Sequence, residues 1–476
     1  MAESGLITQK HKILSKEEML QLLKEPNCYG FKIYSDNILE ALAILDLLSE
    51  DEVLLTYLGT YYEPIDQPIY FFKDKTSKII LSVKIYGNYG NWDVPSSVEK
   101  AIFYIDKMDF VIVDLENNPV LAGETTGTAN VGNSQWQREG RKIGAAINNF
   151  PFLYQTYYTG TDRSQPQGPV VREPTSLQVL NHLIYSIRYQ IPSFAIYYPH
   201  PDFDRRIGKD RSQTEGRKLM TTYICSLLLH HVNSRKYLET KKTLEKNILT
   251  HMLDYITETI SKAGKKIIRL DNDFPVISKR DLFFEKRKEF IEYIVERING
   301  GHIDNRFDFL SWDIKKFPKW GKYYYKFPLI KNLALYDIPI FSYLAKSKIG
   351  IILDAKRLTE VLRKRYPKDK DKISISLDIQ KPTLIIPTRV FKGEKKVVAG
   401  DPESGEITAF SELFSKDLSG DKSMNVLIYG HVEPPSDFSI KETLTKADTP
   451  VGSKLFRTIK HYADCLIIGE QVITWK

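Results

Sequence analysis

Residues 96–126 read SSVEKAIFYIDKMDFVIVDLENNPVLAGETT, and residues 134–158 read SQWQREGRKIGAAINNFPFLYQTYY. Ser96 and Glu99 have capping-box spacing, and Val98, Ala101, Ile102 and Ile105 follow at helical intervals, which predicts a helix with one buried face. Asp109 then opens a short run, 110–113, whose β-branched content suits a strand. Residues 115–119, Leu-Glu-Asn-Asn-Pro, are turn chemistry, and 120–126 is the returning strand. Ser134 and Gln137 repeat the capping-box spacing, Trp136, Ile143 and Ile147 mark a second buried helix face, and 152–158 is again strand-like. The stretch thus reads helix, strand, turn, strand, loop, helix, strand.

Side chains alternate along a strand, so Asp109, Val111 and Val113 share one face, and Val120, Ala122, Glu124 and Thr126 share another. Pairing the hairpin so that these faces coincide brings Asp109 and Glu124 together at one end. Two converging carboxylates repel unless a cation lies between them, and hard oxygen donors select Mg²⁺ or Mn²⁺. Such an ion polarises a phosphate and lowers the pKa of a bound water, so the expected chemistry is phosphodiester hydrolysis.

This order of elements and acids resembles the PD-(D/E)XK nuclease superfamily, to which most restriction endonucleases belong. The matching residues are Asp109, then Glu124-Thr125-Thr126, then the helix from Ser134 and the strand at 152–158, a resemblance that spans about 100 residues. It implies a restriction-endonuclease-like core of helix, mixed central β-sheet and helix within a nuclease domain at 1–200, with the core at 96–198. Residues 201–476 would be an α+β DNA-recognition domain. The function implied is that of a Mg²⁺-dependent type II restriction endonuclease acting on double-stranded DNA in the cytoplasm, in a class whose members commonly work as homodimers. Asp109 and Glu124 would be metal ligands with the carbonyl of Thr125, and Glu99 a further acid. The family's lysine position is Thr126, whose hydroxyl only hydrogen-bonds. Gln137, Arg138, Arg141 and Lys142 on the next helix are candidate substitutes, with Gln137 favoured because it is nearest the helix start. The same departure leaves open a silent core that binds DNA without cutting it.

The rest of the chain sets bounds on this reading. Its 476 residues suffice for two or three domains, and 42% hydrophobic with 27% charged residues is an ordinary globular composition. The net charge of +8 is compatible with a polyanionic partner. Cys28, Cys225 and Cys465 are too far apart for a zinc knuckle or a disulfide framework, and no run approaches membrane-spanning length. Residues 125–134 lack the Gly-Lys-Ser/Thr ending of a P-loop, which disfavours an NTPase.

Residues 15–50 read as largely helical, with Ser15 and Glu18 in capping-box spacing, and 53–86 as strands. A boundary is expected near residue 200, where Arg205 and Arg206 suit phosphate contact. Asp202 and Asp204 there form a DxD triplet that would alternatively suit a sugar-nucleotide transferase. Helices are predicted over 236–260 and 282–298. In 315–327, Lys316, Lys319 and Lys322 alternate with Trp320 and Tyr324, which predicts DNA contacts by charge and stacking as readily as a solvated surface hairpin. Lys356, Arg357, Arg363, Lys364 and Arg365 make a basic helix, and strands predominate from 372 onward, beginning with 374–377.

Overall fold

A computed structural model describes residues 12–35, 37–62, 68–86, 95, 97–98, 107–126, 133–157, 160–162, 170–172, 176–198, 215–262, 286–301, 340–343, 348–353, 355–381, 383–392, 397–399, 415–416, 420–432, 460–468 and 471–475. They form an α/β structure with mixed sheets. The first half runs α1 (Lys16–Lys24), β1 (Cys28–Ser35), α2 (Ile38–Ser49), β2 (Leu55–Tyr61), β3 (Ile69–Asp74), β4 (Ile80–Tyr86), β5 (Phe110–Asp114), β6 (Pro119–Thr126), α3 (Asn133–Ile147) and β7 (Phe152–Tyr157). It continues through the short β8 (Gly160–Asp162) and β9 (Val170–Arg172) to α4 (Ser176–Tyr189) and β10 (Ser193–Tyr198).

Eight of these strands form one sheet in the order β10-β7-β6-β5-β1-β4-β3-β2. The hairpin of β5 and β6 is antiparallel, with Phe110 opposite Gly123 and Val111 opposite Ala122. Helix α3 carries the chain from β6 to a parallel β7, and α4 carries it on to a parallel β10. Such a parallel step needs a crossover, which a helix supplies. On the other side of the hairpin, β1 runs antiparallel to β5.

Helices cover both faces. Aromatic His182 of α4 stacks on Phe152 and Tyr154, which point to one face. Leu153 and its register partner Phe194 point to the other, where Phe194 meets Tyr223 of α5 (Glu215–Val232). Helix α5 packs on β6 and β10, α6 (Ser234–Lys262) on β10 and α5, and α7 (Arg287–Ile298) on α4 and α6. The helices that follow residue 201 therefore complete the first sheet rather than leaving it. Among the described residues no helix is long and apolar enough to cross a membrane.

The second sheet joins β11 (Ile340–Tyr343), β12 (Lys348–Leu353), β13 (Thr383–Lys392), β15 (Asn425–Val432), β16 (Cys465–Ile468) and β17 (Gln471–Thr474) in that order, with β14 (Val397–Ala399) paired to β13. Strand alternation divides its side chains. Ile385, Leu427, Cys465 and Ile467 pack under α8 (Ala355–Arg365) and α9 (Lys370–Ser376) through Leu358, Leu362, Tyr366, Ile373 and Leu377. Their neighbours Leu384, Val426, Ile428 and Leu466 belong instead to the core of the first sheet.

Two sequence expectations are corrected. Residues 15–50, read as largely helical with one segment from Ser15 and a second over 38–48, do form those two helices as α1 and α2, but β1 lies between them at the centre of the first sheet. Its residues Tyr29, Phe31, Ile33 and Tyr34 are aromatic or β-branched strand formers, and Phe31, Ile33 and Tyr34 are buried. Residues 374–377 do not form a strand: 374–376 close α9, where Ile373 and Leu377 four apart reach the same core. Helix α7 starts at Arg287, and of the helix expected from Ser96 only Ser97 and Val98 are described, both helical.

Candidate functional site

The register of the hairpin decides the geometry of the site. Extending the pairs Phe110–Gly123 and Val111–Ala122 by one residue sets Asp109 opposite Glu124, as alternation predicts. Gly123 makes this close approach feasible. A Cβ there would lie 2.5 Å from Phe110 Cζ and 2.8 Å from the Leu153 carbonyl oxygen, so only glycine lets Phe110 and β7 close on the strand. Both acids are removed from water, Asp109 to 8% and Glu124 to 2% exposure.

Each acid is met by donors. The Thr125 N–H donates to Asp109 Oδ2 at 2.9 Å. Arg141, on the third turn of α3, donates from Nη1 to Asp109 Oδ1 at 2.9 Å and forms an ion pair with Glu124 Oε2. One guanidinium thus links both carboxylates. The Arg141 side chain is 14% exposed, against 11% for Asp109 and 2% for Glu124, so all three groups of the centre are largely withdrawn from water. Charge-assisted hydrogen bonds of this kind offset the large cost of burying two like charges.

Behind Arg141 the interior is polar and aromatic. Lys142 is buried with its Nζ 4.5 Å from the centroid of the Tyr185 ring, which places it at the α3–α4 interface. His182 is fully buried, its Nδ1 3.0 Å from the Ser193 hydroxyl. Burial first, and then the charge of Lys142, hold its pKa well below the ordinary value, so the ring is neutral. Gln155 on β7 stands beside Thr125 and is buried, with no hydrogen-bond partner for Nε2 among the described residues. None of Tyr185, His182 and Gln155 carries a motif signal, because each is recruited by a crossover and not by local spacing.

The structure brings together four of the residues expected at the site: Asp109, Glu124, Thr125 and Arg141, with Lys142 adjoining. Thr126 ends β6 in register with Thr156, and Gln137 and Arg138 are helical residues of α3, but their side chains lie outside the described ones. Glu99, Asp202, Asp204, Arg205, Arg206, Lys316, Lys319, Trp320, Lys322 and Tyr324 lie outside the described residues.

The donor set fits a hard divalent cation. Two carboxylates face each other, and a strand residue's N–H and C=O point to the same neighbour, so the Thr125 carbonyl shares the side of Asp109. Among the described residues no three His, Cys, Asp or Glu side chains converge on a point, so such an ion would have only two side-chain ligands there. Comparison with family models, with curated proteins and with solved structures returned no match.

Proposed function

We propose that the chain is a Mg²⁺-dependent endodeoxyribonuclease with a restriction-endonuclease-like core, cutting double-stranded DNA at a specific sequence in the manner of a type II restriction enzyme. The observation that carries this reading is the buried Asp109–Glu124 pair on adjacent antiparallel strands, at the end of β6 from which α3 departs for β7. The neighbouring order β1-β5-β6-β7, with β6 and β7 parallel through a helix, supports it. In this reading Asp109 and Glu124 hold the ion with the Thr125 carbonyl, and the ion when bound supplies the Lewis acid and lowers the pKa of a water.

The basic group missing at Thr126 is then supplied by Arg141 in preference to Gln137. Arg141 reaches both acids from α3, and its planar fork suits a phosphate as well as a carboxylate. Exposed Lys356, Arg363 and Lys364 on α8 supply charge for the DNA backbone, alongside the lysines and aromatics of 315–327. Cytoplasmic location and homodimeric action go with the same reading.

A second reading has its own observation. Because a guanidinium already bonds to both acids and offsets one of their two charges, the core would suit a DNA-binding protein that does not cut. Incubating the full chain with unmodified phage DNA, in Mg²⁺ and in EDTA, separates the two. Discrete fragments are expected in Mg²⁺ alone, and Asp109→Asn and Glu124→Gln are each expected to lower the rate at least 100-fold. DNA that is bound yet stays intact in Mg²⁺ would refute the nuclease.

A further inference from the structure

We propose that Arg141 is the resident counter-cation of the Asp109–Glu124 pair, and that it gives up this place when a divalent cation binds. The inference rests on the reading of that pair as a metal site and adds to it how the site is kept when empty.

Two buried carboxylates on facing strands repel each other, and a low-dielectric interior leaves that repulsion unscreened unless a cation stands between them. Arg141 is that cation. Its Nη1 lies 2.9 Å from Asp109 Oδ1 and also pairs with Glu124 Oε2, so a single nitrogen sits where the two acids converge. A divalent ion sought by the same oxygens would need the same position. The two cations therefore exclude each other.

The surroundings suit an exchange. Asp109 keeps the hydrogen bond from the Thr125 N–H whichever cation is present, so one carboxylate stays aimed. Glu124 is held by the β6–β7 ladder, in register with Tyr154. The residues after Arg141 on α3, Lys142 and Ile143, are buried to 2% and 1% exposure, so the helix is anchored by positions other than 141. Arg141 is the most exposed of the three side chains, at 14% against 11% and 2%, and the exchange asks of it a change of rotamer with the backbone of α3 in place. The buried Lys241–Glu245 pair offers a contrast. Lys241 Nζ is 2.7 Å from Glu245, and Tyr223 and Asn299 also bond this one acid at 3.1 and 2.7 Å, so three donors converge on a single carboxylate among the described residues.

A site closed by its own cation binds metal more weakly by the fraction of molecules in which it is open. The test uses the full chain and Mn²⁺ alone, with free Mn²⁺ counted by electron paramagnetic resonance and melting followed in EDTA and in Mn²⁺. Arg141→Gln is expected to bind Mn²⁺ roughly tenfold tighter than wild type. It is also expected to melt lower in EDTA and to gain more from Mn²⁺. Arg141→Lys keeps a charge with a single ammonium in place of the fork, so it folds even if the glutamine variant does not, and its affinity is expected to lie between the two. Glu124→Gln is expected to lose the ion.

If both Arg141 variants bind Mn²⁺ no tighter than wild type while Glu124→Gln abolishes binding, the metal site stands and the exchange is wrong. If neither wild type nor any variant binds Mn²⁺, the metal reading and the exchange fall together. Cleavage of DNA enters neither outcome, so failure of the nuclease reading is recorded separately.

Discussion

His182 shows how one side chain ties the stability of the interior to pH. It lies between α4 and the sheet, stacked on Phe152 and Tyr154, and its pKa is held well below the ordinary histidine value of 6.5 by burial and by Lys142. In the unfolded chain the ring takes up a proton near 6.5, whereas in the folded chain it does not. The unfolded state therefore binds more protons below that pH, and stability falls as the pH drops. The expected slope is about 1.4 kcal/mol per pH unit below 6.5. Urea unfolding of wild type and His182→Phe between pH 8 and pH 5 reads it: the two curves should run parallel above about pH 7 and converge below it. A constant difference across the range would mean that the ring is not held neutral. The Asp74 carboxyl, which burial alone would raise, is lowered by hydrogen bonds from Ser77, Tyr237 and Thr76 and by Lys236. Its contribution is lost only as the pH falls below about 4, outside the histidine window.

At the scale of elements, local rules account for the start of α1 and for the hairpin, whereas Ser134, read as a helix cap, lies inside α3, which begins at Asn133. The capping box read at Ser15 and Glu18 is present in both directions, at 3.1 and 2.8 Å. The alternation that set Asp109 against Glu124 holds because a strand's period of two is a property of the backbone. Helix α8 was legible for the same reason: Leu358 and Leu362 face the second sheet, while Lys356, Arg363 and Lys364 face water. This helix makes its own prediction. If its outer face tracks a DNA backbone, Arg363→Glu with Lys364→Glu should lower the slope of log affinity against log salt by about 2, with the far-ultraviolet circular dichroism unchanged. An unchanged slope in a protein that still binds would remove α8 from the interface.

At the scale of the whole molecule, the two sheets share a core. Leu384, Val426, Ile428 and Leu466 of the second sheet lie in one buried cluster with residues of the first. Arg188 at the end of α4 donates to the Lys416 carbonyl at 2.6 Å, and Lys416 donates to the Tyr189 hydroxyl at 3.2 Å. Neither sheet can be exposed on that side without opening the other, so unfolding in urea should give coincident transitions by tryptophan fluorescence and circular dichroism. Two separated transitions would show that the halves are independent.

The sequence by itself determined the cap of α1, the hairpin and the facing of its two acids, because each follows from hydrogen bonds and alternation within a few residues. Only the tertiary structure decided which base meets those acids. Gln137 and Arg141 lie four residues apart on α3, and the way that helix lies across β6 and β7 brings Arg141 to both carboxylates. It also decided that β1 adjoins β5, and that residues 374–376 wind into a helix. Those outcomes depend on burying side chains against strands tens to hundreds of residues distant, and that energy has no local signature in the chain.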